Sequence, residues 1–184
     1  MSIYSQRDKA YFASGCFWCV EAIFETIPGV INASSGYSGG ETKNPTYREI
    51  CSGLTGHAET VEVTFNKKTV TYEKLLEVFF YSHDPTTMNR QGPDVGTQYR
   101  SAIFYTDETQ KRKAQECISS LLNENEFERI TTSIEKMTVF YPAELLAQNL
   151  YRGSQIVLLH ALILSHFPAR GMTQNLSDFV VKYF

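Results

Sequence analysis

The sequence predicts an α+β protein, a single domain over residues 1–184 folded as a two-layer α/β sandwich. Three observations predict it. Apolar patterns of period two and period 3.6 alternate along the chain. Polar and glycine-rich residues collect in long loops between them. No internal repeat, low-complexity tract or linker divides the sequence. A length of 184 residues suits one well-buried core and is short for two.

Lys9 to Ser14 reads as a short buried strand that stops at Gly15. From there Val20, Ile23, Phe24 and Ile27 recur at helical spacing until Pro28-Gly29, so Cys16 falls in the first turn of a helix and Cys19 one turn on. A strand over Val30 to Ser35 leads into GYSGGETKNPTYREICSGLTGHAE, a stretch whose glycines and Pro45 mark it as a loop long enough for function. Between Glu59 and Phe65, Val61, Val63 and Phe65 share one face and Thr60, Glu62 and Thr64 the other, with Glu59 in parity with the apolar set. Tyr72 to His83 is an amphipathic helix through Leu75, Leu76, Phe79 and Phe80, ended by Asp84-Pro85. TTMNRQGPDVGTQYR reads as a second loop before a strand at Ser101 to Tyr105. Asp107 with Gln110 resembles a capping box, opening a helix whose stripe is Ala114, Cys117, Ile118, Leu121 and Leu122. A strand near Ile134 to Phe140 and a helix from about Ala143 complete the series.

Composition narrows the function. A formal charge of -3, with no Lys/Arg cluster, argues against a nucleic-acid partner. The N-terminus MSIYSQRDKAYFASG has no apolar h-region, and the run Ile156 to Leu164 is too short to span a bilayer, so no membrane role is expected. Four irregularly spaced cysteines, at 16, 19, 51 and 117, do not form a disulfide framework and point to a reducing cytoplasm. A structural zinc site needs a second closely spaced Cys/His pair, which the sequence lacks, so no metal is expected.

Among the reactive candidates, GCFWC carries the sharpest. A thiol at a helix start faces the positive end of the dipole and free amide groups, which favour the thiolate, so Cys16 reads as a nucleophile; the competing reading is a small buried residue at a strand–helix turn. Glu59, on the apolar face of a strand, is costly to ionise and suits an acid, unless the strand frays and leaves it in solvent. Asp94 in QGPDVG serves equally as a turn residue, and Tyr47 and Tyr99 as core aromatics. Cys117 lies on the helical stripe as an inert thiol.

Taken together, the stretches GCFWCVE, GYSGG followed by NPTY, CSGLTGHAETVEV and SHDPTTMNRQGPDVGTQYRSAIFY resemble the peptide-methionine (S)-S-oxide reductase family, methionine sulfoxide reductase A, in order and spacing over roughly residues 9 to 151. The resemblance implies a two-layer sandwich around a mixed, ferredoxin-like sheet. It implies that Cys16 is the nucleophile, that Phe17 and Trp18 wall the substrate's S-methyl, and that Glu59 is the general acid. Tyr47 and Tyr99 would donate to the sulfoxide oxygen beside Asp94. The implied cycle reduces the S epimer of methionine sulfoxide, free or in oxidised proteins, as repair of oxidative damage. It runs through a cysteine sulfenic acid and a disulfide, with no bound cofactor and with thioredoxin as external reductant.

The C-terminal part departs from the family. No cysteine follows Cys117, Ala147 stands where the family pattern has histidine, and the tail 152–184 matches nothing familiar. Cys19 is therefore expected to resolve Cys16, since positions three apart on a helical turn are neighbours; Cys51 or an external thiol is the alternative. Two rival functions remain. A general thiol–disulfide oxidoreductase would need Cys16 and Cys19 but not Glu59, and a non-catalytic binder of methionine peptides would be indifferent to Cys16.

Overall fold

The strand predicted to open the fold, β1 (Arg7–Ser14), alternates as expected: Ala10 and Phe12 pack on one face and Tyr11 and Ala13 on the other. Phe12 meets Phe24 of helix α1 (Phe17–Glu25) at a ring-centroid distance of 5.1 Å and Phe79 of α3 (Tyr72–Tyr81) at 5.2 Å. The computed structural model describes residues 6–144.

β1 is central in a six-stranded sheet with β2 (Val30–Ser38), β3 (Ala58–Asn66), β6 (Ser101–Tyr105), β7 (Ser133–Lys136) and β8 (Tyr141–Pro142), in the order β7-β6-β1-β3-β2-β8. The chain path β1-α1-β2-β3-α3-β6 over antiparallel neighbours β6-β1-β3-β2 is the ferredoxin-like arrangement, and β7, parallel to β6, makes the sheet mixed. Helices α1, α3 and α4 (Glu108–Asn123) bury Val20, Phe24, Leu75, Leu76, Phe79, Ala114 and Leu121 in one cluster with Val61, Val63, Phe65 and Ile103. A smaller cluster, with Met137 and Phe140, lies against the opposite face.

Differences from the sequence expectations lie in the loops and edges. The first loop contributes Gly36 to Ser38 to β2 and contains a short helix, α2 (Tyr47–Cys51). A capping box starts α2: Glu49 accepts from the Thr46 amide and hydroxyl, and the Thr46 hydroxyl accepts from the Glu49 amide. The second loop holds a hairpin of β4 (Arg90–Gln91) and β5 (Asp94–Val95), then a 3₁₀ turn at Thr97–Tyr99. The strand expected to reach Phe140 ends at Lys136, and the chain resumes pairing as β8 at the other edge. At α4, Asp107 accepts from the Gln110 amide, but the Gln110 side chain accepts from the Thr106 amide instead of that of Asp107, and donates to Lys9 O, tying helix to sheet. Most of the helix expected from about Ala143, along with Ala147 and the tail 152–184, lies outside the described residues.

Candidate active site

β1 delivers the chain to Gly15, which takes φ +89, a left-handed conformation natural only to glycine. A Cβ there would also stand 2.5 Å from Cγ and 2.6 Å from Cβ of Gln91, so the β4–β5 hairpin seats directly on this turn. Gly15→Ala is expected to lose on the order of 1–2 kcal/mol from the backbone alone. That lowers the thermal midpoint by several degrees; an unchanged midpoint would show that hairpin and turn are not held together.

Cys16 follows as the N-cap of α1, half-buried, and Phe17 and Trp18 open the helix. The Phe17 amide donates to Oε2 of Glu59 at 3.0 Å, so the first free N–H of the helix is spent on that carboxyl. Glu59 is 3 % exposed. It sits on the helix side of β3, as its parity with Val61 and Val63 predicts, opposite Tyr37 of β2. Burial pushes its carboxyl up to about 8, the Phe17 N–H opposes that shift, and the Cys16 and Asp94 charges add to it. Glu59 is thus a proton carrier at neutral pH.

Around this pair stand aromatic rings. Phe17 is 5.1 Å from Trp18, 5.8 Å from Tyr37 and 6.3 Å from Tyr47, and Trp18 is 5.7 Å from Tyr47. Tyr47, at the first position of α2, is held above the usual phenol range by burial, by a hydrogen bond with Cys51 and by the Cys51, Glu59 and Tyr99 charges. Tyr99, in the 3₁₀ turn, is pushed up to about 12 by burial and then by the charges of Glu59, Asp94, Cys51 and Cys16. Both hydroxyls therefore keep their protons at neutral pH. Asp94, in β5, is raised by burial. Residues from two long loops, one strand and one helix start thus converge on a single site. Cys117 lies away on α4, its thiol pushed up to about 11 chiefly by burial.

Cys16 departs from the expectation that the helix end favours its thiolate. Its thiol hydrogen-bonds Cys19, and that bond, with burial and the Cys19 charge, holds Cys16 above the ordinary thiol range. The amides of Cys19 and Trp18 pull weakly the other way. The same hydrogen bond lowers Cys19, against burial and the Asp94 and Glu59 charges. One hydrogen bond between the sulfurs thus raises Cys16 and lowers Cys19. The helix end alone was expected to lower Cys16, and the neighbouring sulfur outweighs it.

Two residues with polar contacts at the site carry no local sequence signal. Tyr37 is a buried strand residue whose hydroxyl donates to Glu144 at 3.3 Å, and Glu144 also accepts from the Tyr47 amide at 3.0 Å. Only the sheet register brings them here. His57 is buried and braces the first loop by accepting from the Gly40 amide and bonding Thr42 O. Among the described residues no three His, Cys, Asp or Glu side chains are grouped to hold a metal ion, and no helix is long and apolar enough to cross a membrane.

Two hydrogen-bonded thiols, a buried carboxyl that holds its own proton near neutrality and an aromatic wall make up the equipment of a thiol-dependent oxidoreductase, and this is the class of the protein. The chain belongs to the peptide methionine sulfoxide reductase family, whose description, "Peptide methionine sulfoxide reductase", matches residues 8–169. It is 54% identical over 143 residues, 77% of this chain and 80% of the relative, to the peptide methionine sulfoxide reductase MsrA of Natronomonas pharaonis. It is 52% identical over 145 residues, 78% of this chain and 86% of the relative, to that of Methanothermobacter thermautotrophicus. Among solved structures it is similar to methionine sulfoxide reductase A of Corynebacterium diphtheriae, with TM-score 0.73 and 39% identity over 78% of this chain and 73% of the other. It is also similar to reduced Mxr1 from Saccharomyces cerevisiae, with TM-score 0.73 and 32% identity over 78% and 83%. The protein is a methionine sulfoxide reductase.

Proposed function

We propose that this chain reduces the S epimer of methionine sulfoxide, free or in oxidised proteins, through oxygen transfer to Cys16. The observation that carries the reading is Glu59, buried, proton-bearing near neutrality and hydrogen-bonded to the amide that follows Cys16. The sulfoxide S-methyl rests on Phe17 and Trp18, and the oxygen faces Glu59 and the hydroxyls of Tyr47 and Tyr99, beside Asp94. Cys16 releases its proton to water and attacks the sulfoxide sulfur, while Glu59 gives its proton to the oxygen. The hydroxyl then moves to the Cys16 sulfur as the substrate's S–O bond and the new bond between the two sulfurs break; methionine leaves, and Cys16 holds the oxygen as a sulfenic acid.

Cys19 beside that sulfenic acid then attacks it, giving its proton to the Glu59 carboxylate, which passes it to the departing oxygen; water leaves and a Cys16–Cys19 disulfide forms. The existing hydrogen bond between the two sulfurs supports Cys19 over Cys51, whose sulfur engages Tyr47. A dithiol protein such as thioredoxin then reduces the disulfide, and a reducing cytoplasm suits four unbridged thiols. The test is turnover of separated epimers, first with dithiothreitol and then with thioredoxin, for the parent and for Cys19→Ser. The parent is expected to consume only the S epimer with either reductant. Cys19→Ser should form no intramolecular disulfide and lose at least about tenfold with thioredoxin. An intramolecular disulfide with full thioredoxin turnover would transfer the resolving role to Cys51.

A further inference from the structure

Glu144 carried no expectation from sequence, yet from the sheet edge it hydrogen-bonds two residues at the site. Its backbone is anchored: β8 pairs Pro142 with Gly36 and Tyr141 with Tyr37, and the Ala143 amide donates to Ser35 O at 3.0 Å. From that anchor the carboxylate divides between two partners. Oε1 accepts from the Tyr47 amide at 3.0 Å and Oε2 from the Tyr37 hydroxyl at 3.3 Å. Tyr37 stands opposite Glu59 in the sheet, its ring against Phe17, while the Tyr47 ring meets Phe17 and Trp18.

Helix α2 needs such a partner. It has five residues, too few to hold a direction alone. Its capping box occupies the Thr46 and Glu49 amides, leaving the Tyr47 amide to Glu144. We propose that Glu144 is a positioning residue for sulfoxide reduction: by holding the Tyr47 amide and the Tyr37 hydroxyl at once, it sets the direction in which the Tyr47 hydroxyl points. This rests on the reading of Tyr47 as a donor to the sulfoxide oxygen. Misplacing a donor by about 1 Å costs catalysis more than binding.

The test is a double-mutant cycle on the full chain, reading kcat and KM for the S sulfoxide with dithiothreitol. Tyr47→Phe is expected to lower kcat about 10- to 100-fold. Glu144→Ala is expected to lower kcat about tenfold with KM within about twofold, and to add less than about twofold once Tyr47 is already Phe. Glu144→Gln, which keeps an acceptor for the Tyr47 amide, is expected within about threefold of the parent, and Glu144→Leu, which fills the volume without an acceptor, takes the place of alanine in the cycle if the alanine variant does not fold. Equal losses on the two backgrounds, or a Glu144→Ala enzyme at the parent rate, overturn the positioning role while leaving Tyr47 in place. Tyr47→Phe at the parent rate would instead remove the donor role itself, and the positioning role with it.

Discussion

Glu59→Gln is expected to lower kcat/KM for methionine sulfoxide by about 10²- to 10⁴-fold, the usual contribution of a positioned general acid. Gln keeps the shape and an acceptor for the Phe17 amide, but it has no proton to give to the departing oxygen. The pH profile carries a second signature. Because burial pushes the Glu59 carboxyl up to about 8, the parent enzyme should lose activity as pH rises through about 8, where the acid is consumed. On the acid side activity should rise as the cysteine pair loses its first proton. The variant should lack the alkaline limb near 8.

Stability should move the opposite way. A carboxyl whose folded pKa lies above its unfolded value contributes fully at low pH, and the contribution is lost as pH rises from about 4.3 towards 8. Removing the ionisable group therefore makes the variant more stable than the parent above pH 8, by on the order of a few kcal/mol. Urea midpoints at pH 6 and pH 9 check this. A variant that is slower and also less stable at pH 9 would mean Glu59 is only a structural contact.

Cys16→Ser is expected to abolish turnover by about 10⁴-fold or more, with either reductant, while the fold is kept. A hydroxyl fills the same place but does not ionise near neutrality, and its oxygen is a poor nucleophile towards sulfur. Retained activity in this variant, carried by the lowered Cys19 thiol, would reverse the order of the two cysteines. That outcome has a physical basis in the hydrogen bond that lowers Cys19, which makes the comparison with Cys19→Ser informative in both directions.

Regular elements with one buried face were legible in the sequence. The alternation of Val61, Val63 and Phe65 placed Glu59 on the buried side of β3 before any contact was known, and the helical spacing after Cys16 put it within one residue of its place at the N-cap of α1. The short helix α2 had its own sign in Thr46 and Glu49, overridden by the density of glycine and proline around it. The hairpin at Arg90–Val95 is only two residues a side, too short for a period to register. The direction of the Cys16 shift was not legible because it depends on which side chain its sulfur meets, not on the helix end alone. Tyr37 and Glu144 were invisible for a different reason. The residues they serve are 22 and 97 positions away along the chain, so only pairing across the sheet and at its edge reveals them.

The most direct measurement gives Cys19→Ser enzyme one equivalent of S-methionine sulfoxide without reductant, then maps the modified cysteine by mass spectrometry with a sulfenic-acid trap. One methionine per enzyme with the trap on Cys16 is the predicted result. One methionine per enzyme with Cys16 unmodified would contradict it.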